Sequence, residues 1–162
     1  MNSAGILPVI KENGKIYMLL GKDLGGWSGF SGGQDGDETP QETAFREFHE
    51  ETIGIFPDVD ISFLQRNCFH VHNAKTPTGK IFVMYLVDFS SLDTKNTTYD
   101  FHTAFEKTVR VCEREKTSVQ WVEISNVFKR KLRFAFYKDI DAFIKVIMDW
   151  QTQSVIGDIK LK

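Results

Sequence analysis

The sequence has little cysteine, no long apolar run and almost no excess charge, and each shortage excludes a class of protein. Its two cysteines, Cys68 and Cys112, match neither a CxxC motif nor a zinc pattern, so reduced thiols are favoured over a disulfide framework. No run approaches the ~18 apolar residues of a membrane span, and the first residues lack the basic and apolar segments of a signal peptide. A net charge of −2 and a pI of about 6.1 give no global attraction to nucleic acid or anionic membrane. We expect a soluble protein of the cytoplasm, or alternatively of the nucleus, with no membrane association.

The composition is that of a folded protein with a core. The chain has 162 residues, of which 41% are hydrophobic and 26% charged, and this fits one globular domain over residues 1–162. Short apolar runs at 3–10 and 15–21 flank a turn-rich break and predict a strand hairpin, and the runs at 61–71 and 81–89 predict a second, longer hairpin. The run at 81–89 is too apolar for an edge strand.

Helices are predicted in the middle and at the end of the chain. Residues from Asp100 to Cys112 carry apolar side chains at intervals of three and four, and the stretch from Phe136 to Met148 does the same. A further strand is predicted around Val119 and Trp121. Strands that alternate with helices in this way imply a mixed sheet between helices, which is an α/β fold.

The most informative stretch runs from Gly32 to Gly54 and begins a helix behind a glycine loop. Thr39 is suited to the N-cap, Pro40 to the first helical position, and Glu42 stands three residues after Thr39, as a capping box requires. The helix is therefore predicted to begin at Thr39 or Pro40.

Three carboxylates follow on one face of this predicted helix. Glu47, Glu50 and Glu51 stand at i, i+3 and i+4, and like charges at this spacing repel one another. Arg46 can reach Glu50, but one guanidinium leaves an excess of negative charge. A divalent cation would remove the repulsion, and oxygen ligands without His or Cys favour Mg²⁺ or Mn²⁺. The alternative is a solvated acidic helix face.

The residues around these carboxylates resemble the Nudix hydrolase family. Its motif is G-x5-E-x7-R-E-U-x-E-E-x-G-U, in which U is a bulky apolar residue, and Gly32, Glu38 and the run from Arg46 to Glu51 fit it position by position. The fit breaks at the end, where Thr52-Ile53-Gly54 has one residue more than the pattern before its glycine. Ser31 also stands where the family usually has another glycine.

The resemblance implies an α/β/α sandwich with a mixed sheet, and a Mg²⁺-dependent or Mn²⁺-dependent pyrophosphohydrolase. Such an enzyme cleaves the phosphoanhydride bond of a nucleoside diphosphate linked to a group X, so the expected partner is a nucleotide or dinucleotide. The implied metal ligands are Glu47, Glu50, Glu51 and a carbonyl of the glycine loop, from Ser31, Gly32 or Gly33. Gly32, which begins the motif, is taken as this ligand. The resemblance gives catalytic roles to four residues, Glu50, Glu51, Arg46 and Glu115.

Arg46 is expected to orient Glu47 or Glu50, and Glu38 to close the loop or to assist the metal site from outside. The general base is expected at Glu115, six residues before Trp121, and Glu113 is the competing candidate. Without the motif, either glutamate would be interpreted as a solvated loop residue.

Other functions stay open at this point. The basic cluster Lys129–Arg133 could neutralise phosphates of capped RNA, which favours an mRNA 5′-cap hydrolase, or of a diphosphoinositol polyphosphate. A non-catalytic binding module of the same fold is the third alternative, although such modules normally lack the glutamates.

His70 and His72 share a strand face, but without a third ligand nearby a substrate-side or surface role is favoured over zinc. Phe30, His70, His72 and Phe101 could stack on a base, although aromatic residues are more often part of the core.

Overall fold

The chain folds into a seven-stranded mixed sheet with helices on both faces. The structure is a computed structural model that describes residues 2–108 and 116–161, with side chains up to residue 153. In chain order the elements are β1 (Ser3–Glu12), β2 (Lys15–Asp23), β3 (Gly26–Ser28), β4 (Phe30–Gly33), α1 (Pro40–Glu51), α2 (Ile61–Asn67), β5 (Cys68–Lys75), β6 (Ile81–Asp88), α3 (Thr97–Glu106), β7 (Ser118–Glu123), a 3₁₀ helix (Ile124–Lys129) and α4 (Phe134–Leu161).

Strand β1 organises the sheet. It runs parallel to β6 along most of its length and antiparallel to β2 at its carboxyl end and to β4 at its amino end. Strand β7 pairs with β2, and β5 pairs with β6 at the other side of the sheet. The interior place of β6, between β1 and β5, confirms that this apolar strand is not at an edge.

Two apolar cores cover the two faces of the sheet. On one face Phe48 of α1 meets Phe30, Phe56 and Phe89 in edge-on or stacked contacts, with ring centroids 5.4 to 5.7 Å apart. On the other face α4 inserts Phe143 and buried neighbours into a separate cluster. Helix α1 is thus fixed by its apolar side, and its acidic side is left to face β4.

One predicted strand was wrong in its first half. Residues Ile61–Asn67, predicted as part of a strand over 61–71, form helix α2, and β5 begins only at Cys68. Asp60 caps the helix, because its Oδ1 accepts a hydrogen bond of 2.7 Å from the Phe63 amide. The hairpin of β1 and β2, the strand at β6 and the helix at α4 are confirmed.

The mid-chain helix is confirmed with different bounds. Helix α3 spans Thr97–Glu106, whereas the sequence pattern ran from Asp100 to Cys112. Its last predicted residues, Val109 to Cys112, lie outside the described residues. None of the described helices is both long enough and apolar enough to cross a membrane.

The two histidines of β5 do not face the acidic helix. The His72 ring meets Phe143 of α4 edge-on at 4.9 Å, and its Nε2 lies 3.6 Å from Asp139 on the same helix. Since Phe143 belongs to the core on the opposite face from α1, the substrate-side role expected for His72 is not supported. Phe30 and Phe101 are buried core residues, so neither offers a ring for stacking on a base.

Candidate active site

Helix α1 begins where its sequence predicted. Thr39 is the N-cap, its Oγ1 accepts from the Glu42 amide at 3.2 Å, and the Glu42 carboxylate accepts from the Thr39 amide at 3.1 Å. This capping box fixes the first turn. The following turns carry Arg46, Glu47 and Glu50 toward the end of β4.

Arg46 contacts both the glycine loop and two of the three candidate ligand glutamates of α1. Its Nε and Nη2 donate to the two carboxylate oxygens of Glu38 at 2.9 and 3.0 Å, and Nη2 also donates to the Gly33 carbonyl at 2.9 Å. Its Nη1 contacts Glu47 at 3.0 Å and Glu50 at 3.4 Å. Two-point pairing of this kind sets direction as well as charge. Arg46 therefore contacts both glutamates from the side, and its role in orienting Glu47 or Glu50 for catalysis stays a prediction.

Glu38 closes the loop between β4 and α1. Besides Arg46, its Oε1 accepts from the Asp35 amide at 2.8 Å and from the Thr43 hydroxyl at 3.2 Å. These bonds, led by the one to Arg46, lower the pKa of the Glu38 carboxyl to about 2. All these bonds lie within the protein, so Glu38 has the loop-closing role given as one of its two expectations.

Gly32 lets the loop and the helix approach closely. A Cβ atom at this position would overlap the Glu47 carboxylate, so any other residue would push α1 away from β4. Desolvation by this close approach raises the pKa of Glu47, with Arg46 acting in the opposite direction. The predicted role of the Gly32 carbonyl as a metal ligand stays a prediction.

Glu51 has an unsatisfied oxygen. Its carboxylate is reached by the backbone N–H of Ser31, yet Oε1 is shielded from solvent and has no hydrogen-bond partner among the described residues. Burial raises the pKa of Glu51 to about 8, while nearby Lys116 acts to lower it. A buried carboxylate oxygen without a partner is costly, and a hard divalent cation is the partner that such an oxygen suits.

The carboxylate oxygens of these glutamates are therefore of the type that binds a divalent metal. They are not, however, already arranged around a common point. Among the described residues no group of three or more His, Cys, Asp and Glu side chains is arranged to hold an ion as it stands. Arg46 takes one oxygen of Glu47 and one oxygen of Glu50. Glu51 is the acidic residue of the three that Arg46 leaves available.

A buried lysine beside Glu51 was missed by sequence reasoning. Lys116 is 1% exposed, and its Nζ donates to Ser28 Oγ at 2.7 Å and to the Gly21 carbonyl at 3.2 Å, with Asp23 Oδ2 at 3.5 Å. Asp23 is paired in turn with Arg133 at 3.0 Å. Desolvation lowers the pKa of Lys116, and Glu51 and Asp23 oppose that shift. The site thus contains a second cation besides Arg46.

Gly21 was the one feature of the sequence that could have indicated a buried group at this position. A glycine in the middle of a strand marks a close approach by another group. Here a Cβ at position 21 would lie 2.8 Å from Lys116 Cδ and 2.9 Å from the Phe30 ring. The glycine shows that something passes over the strand, but the sequence does not say that it is a lysine.

The predicted general base lies in a stretch of the chain that the structure does not describe. Glu115 and the competing Glu113 both lie outside the described residues. Lys116 directly follows Glu115 in the sequence, and both glutamates stay predictions.

The end of α1 explains the departure from the family motif. Ile53 has φ of 56° and Gly54 φ of 68°, so two successive residues have the left-handed conformation that ends a helix. Their amides donate to Glu50 at 3.2 Å and to His49 at 3.0 Å. The motif has its glycine two residues after the last glutamate, where Ile53 stands. The departure is therefore an isoleucine at a position that favours glycine, followed by Gly54.

Comparison with known proteins gives the same family. The model of the NUDIX domain matches residues 1–143, which is most of the chain, and the protein therefore belongs to the Nudix family. No curated protein gives a match.

Solved structures agree in fold at low sequence identity. An Ap4A hydrolase binary complex from C. elegans has a TM-score of 0.59 and 18% identity, and the alignment covers 91% of this chain and 98% of that one. A Nudix hydrolase from Listeria monocytogenes has a TM-score of 0.59 and 13% identity over 92% and 95% of the two chains. The NUDIX domain of Shewanella oneidensis NrtR, solved with ADP ribose, has 0.58 and 15% over 91% and 88%. These likenesses show the fold, a mixed sheet between helices, as the sequence predicted.

Proposed function

We propose that the protein is a Mg²⁺-dependent or Mn²⁺-dependent hydrolase that cleaves the phosphoanhydride bond of a nucleoside diphosphate linked to a group X. The observation that carries this proposal is the unpaired buried oxygen of Glu51 beside Glu47 and Glu50. A binding module without catalysis would have no need to keep a carboxylate in this costly state.

The proposed ligands are the carboxylates of Glu47, Glu50 and Glu51 and the carbonyl of Gly32. A bound divalent ion supplies charge neutralisation at the phosphate oxygens and a bound water of lowered pKa. Arg46 contacts Glu47 and Glu50 but not Glu51, so Glu51 is the carboxylate best placed to accept the ion. Glu50 is exposed, and its contact with Arg46 at 3.4 Å is the longest of the set. After Glu51, Glu50 is therefore the carboxylate that we expect to rotate toward the bound ion.

Arg46 acts as a positioning residue in this proposal. Its bonds to Glu38 and to the Gly33 carbonyl anchor the guanidinium to the loop, so that it can hold Glu47 without contacting substrate. Glu115 is the proposed acceptor of the proton of the attacking water, as the family resemblance implies. Glu113 is the alternative acceptor.

A nucleotide or dinucleotide is the proposed substrate class. The structural neighbours named for Ap4A hydrolysis and for an ADP ribose complex have the same fold, and both of those compounds contain phosphoanhydride bonds. The likeness does not select X.

The test is a substrate panel with product identification. Dinucleoside polyphosphates, ADP ribose, other nucleoside diphosphates linked to X, a diphosphoinositol polyphosphate and capped RNA are incubated with the purified protein and Mg²⁺ or Mn²⁺. The proposal predicts metal-dependent turnover of at least one nucleotide to two products that both retain phosphate. Absence of turnover across the panel with either metal, or turnover unaffected by EDTA, contradicts it.

A further inference from the structure

The segment from residue 128 to residue 138 concentrates positive charge on a protein that has a small negative net charge. It contains five basic residues and no acidic residue, whereas the whole chain has a net charge of −2. The basic residues are Lys129, Arg130, Lys131, Arg133 and Lys138. This segment therefore attracts an anionic partner more than the net charge of the whole chain would.

The same segment exposes aromatic rings. Four aromatic side chains are exposed among the described residues, and three of them lie here, with exposures of 55% for Phe128, 74% for Phe134 and 56% for Tyr137. Leu24, at the turn between β2 and β3, is 78% exposed. Single exposed apolar residues are ordinary, but rings grouped among cations need an explanation.

The backbone of this segment is held rigidly against the sheet. The Trp27 amide donates to the Lys131 carbonyl at 2.8 Å, and the Arg133 amide donates to the Trp27 carbonyl at 2.9 Å. The Arg130 guanidinium lies over the Trp27 ring at 4.7 Å. The exposed rings and lysines are thus displayed from a fixed support, which reduces the entropy lost on binding.

The five cations divide into two groups. Arg133 is paired with Asp23, Arg130 stacks on Trp27, and the Lys138 Nζ lies 5.8 Å from the centroid of the Phe134 ring. Lys129 and Lys131 are exposed, and neither has an ion pair with any residue that the structure describes. These two lysines retain their full charge for a partner.

We propose that residues 128–138 form a surface that binds single-stranded nucleic acid. Unpaired lysines neutralise phosphates and release counterions, and exposed rings offer faces on which unstacked bases lie. A compact inorganic polyanion would use the lysines and leave the rings without a function. Duplex would use them little, because its bases are already stacked.

Asp23 links this surface to the candidate active site through buried contacts. Its Oδ2 lies 3.0 Å from Arg133 and 3.5 Å from Lys116, whose charge acts on Glu51. Binding itself does not depend on hydrolysis, so the two proposals can fail separately.

The experiment measures binding of a fluorescein-labelled 12-nucleotide oligo(U) RNA by anisotropy. The full chain is used in EDTA, which excludes metal-dependent cleavage, and the salt concentration is varied. We expect saturable binding that weakens with salt. The variant K129E/K131E should bind at least tenfold more weakly and with a smaller salt slope.

The aromatic variant separates stacking from charge. F134A/Y137A should weaken binding about tenfold with an unchanged salt slope, because it removes stacking and no charge. The matched control is K75E/K80E, which makes the same charge change at two exposed lysines of the β5–β6 hairpin, and it should bind nearly as the wild type does. All variants change exposed residues, and circular dichroism verifies their fold.

Several results would overturn the proposal. They are absence of wild-type binding at low salt, equal weakening by K75E/K80E, and unchanged binding in F134A/Y137A. Equally effective competition by inorganic polyphosphate would assign the surface to polyanions in general. Sedimentation with phosphatidylserine vesicles in the absence of RNA binding would assign it to a membrane surface.

Discussion

The burial of Glu51 is the property of the site that its position in the sequence shows least clearly. Three glutamates at i, i+3 and i+4 are visible in the sequence, and so is the arginine that accompanies them. Which glutamate is buried is not visible, because burial depends on β4 and on Lys116, which come from distant parts of the chain. The structure therefore distinguishes three residues that the motif treats alike.

The pKa of Glu51 predicts a pH dependence of stability in the absence of metal. Burial raises the pKa of the Glu51 carboxyl from an ordinary 4.5 to about 8 in the folded protein. Between these values the unfolded state binds fewer protons, so the free energy of unfolding falls as pH rises. Glu51→Gln should remove this contribution, which is on the order of a few kcal/mol between pH 5 and 8. Urea unfolding in EDTA across this range measures it, and parallel curves for the two proteins would contradict the assignment.

Lys116 provides a prediction about a buried cation. Lys116→Met keeps most of the side chain and removes the ammonium that bonds to Ser28 and Gly21 and lies close to Asp23. We expect a loss of about 3 kcal/mol in the free energy of unfolding, because polar partners stay buried without the cation. Arg133, which also pairs with Asp23, reduces the loss.

The control for this change is Lys22→Met, an exposed lysine on the neighbouring stretch of β2. It should change the free energy of unfolding by less than ~0.5 kcal/mol. Chemical denaturation of the three proteins provides the comparison. Equal stabilities for Lys116→Met and Lys22→Met would show that the buried ammonium contributes nothing.

Among the elements, α1 was predicted best and α2 worst. The N-cap, proline and capping-box residues of α1 lie within four positions, so local chemistry decides its start. Helix α2 is seven residues long, and its apolar residues Ile61 and Phe63 alternate as in a strand. Periodicity cannot separate the two structures over so short a run, and Asp60 was the N-cap signal that was overlooked.

The end of α1 gives a prediction about backbone conformation. Ile53 has φ of 56°, where glycine is favoured over any β-branched residue. Substituting Ile53 by glycine or by alanine removes nearly the same apolar contacts, but only glycine relieves the left-handed conformation. Ile53→Gly should therefore be more stable than Ile53→Ala by about 1 kcal/mol, measured by thermal or urea unfolding.

This order is the reverse of the one seen inside a helix, where alanine is the more stable residue. An advantage for alanine at position 53 would mean that the residue does not have the left-handed conformation. The two variants are matched controls for each other, since both lose the contacts that Ile53 makes with the core.

At the scale of the whole molecule, the sequence predicted the composition of the fold but not its connections. The apolar run of β6 was interpreted correctly as interior, and α4 as a helix on the sheet. The parallel pairing of β1 with β6, from Ser3 with Phe82 to Val9 with Asp88, joins residues far apart in the chain, and no local pattern indicates it. The contacts of Lys116 could not be predicted for the same reason, because its partners Gly21 and Ser28 are far from it in the sequence and lie on β2 and β3.

The family resemblance supplied what local chemistry could not. It related Gly32, Glu38 and the three glutamates to one site before any distance was known. The structure adds that Arg46 holds this site together and that Ile53 stands where the motif has its glycine. The metal ligands and the base at Glu115 stay predictions of the account.

Steady-state hydrolysis by Glu51→Gln and Glu42→Gln tests the central claim most directly. Both variants remove one carboxylate from α1, but Gln at position 42 can still complete the capping box. With the nucleotide that the wild type turns over and with Mg²⁺ present, Glu51→Gln should lower kcat by a factor on the order of 10³ or more, comparable to loss of a group that stabilises the transition state. Glu42→Gln should stay within about twofold of the wild type. A Glu51→Gln protein that is folded and hydrolyses the nucleotide at the wild-type rate would contradict the account.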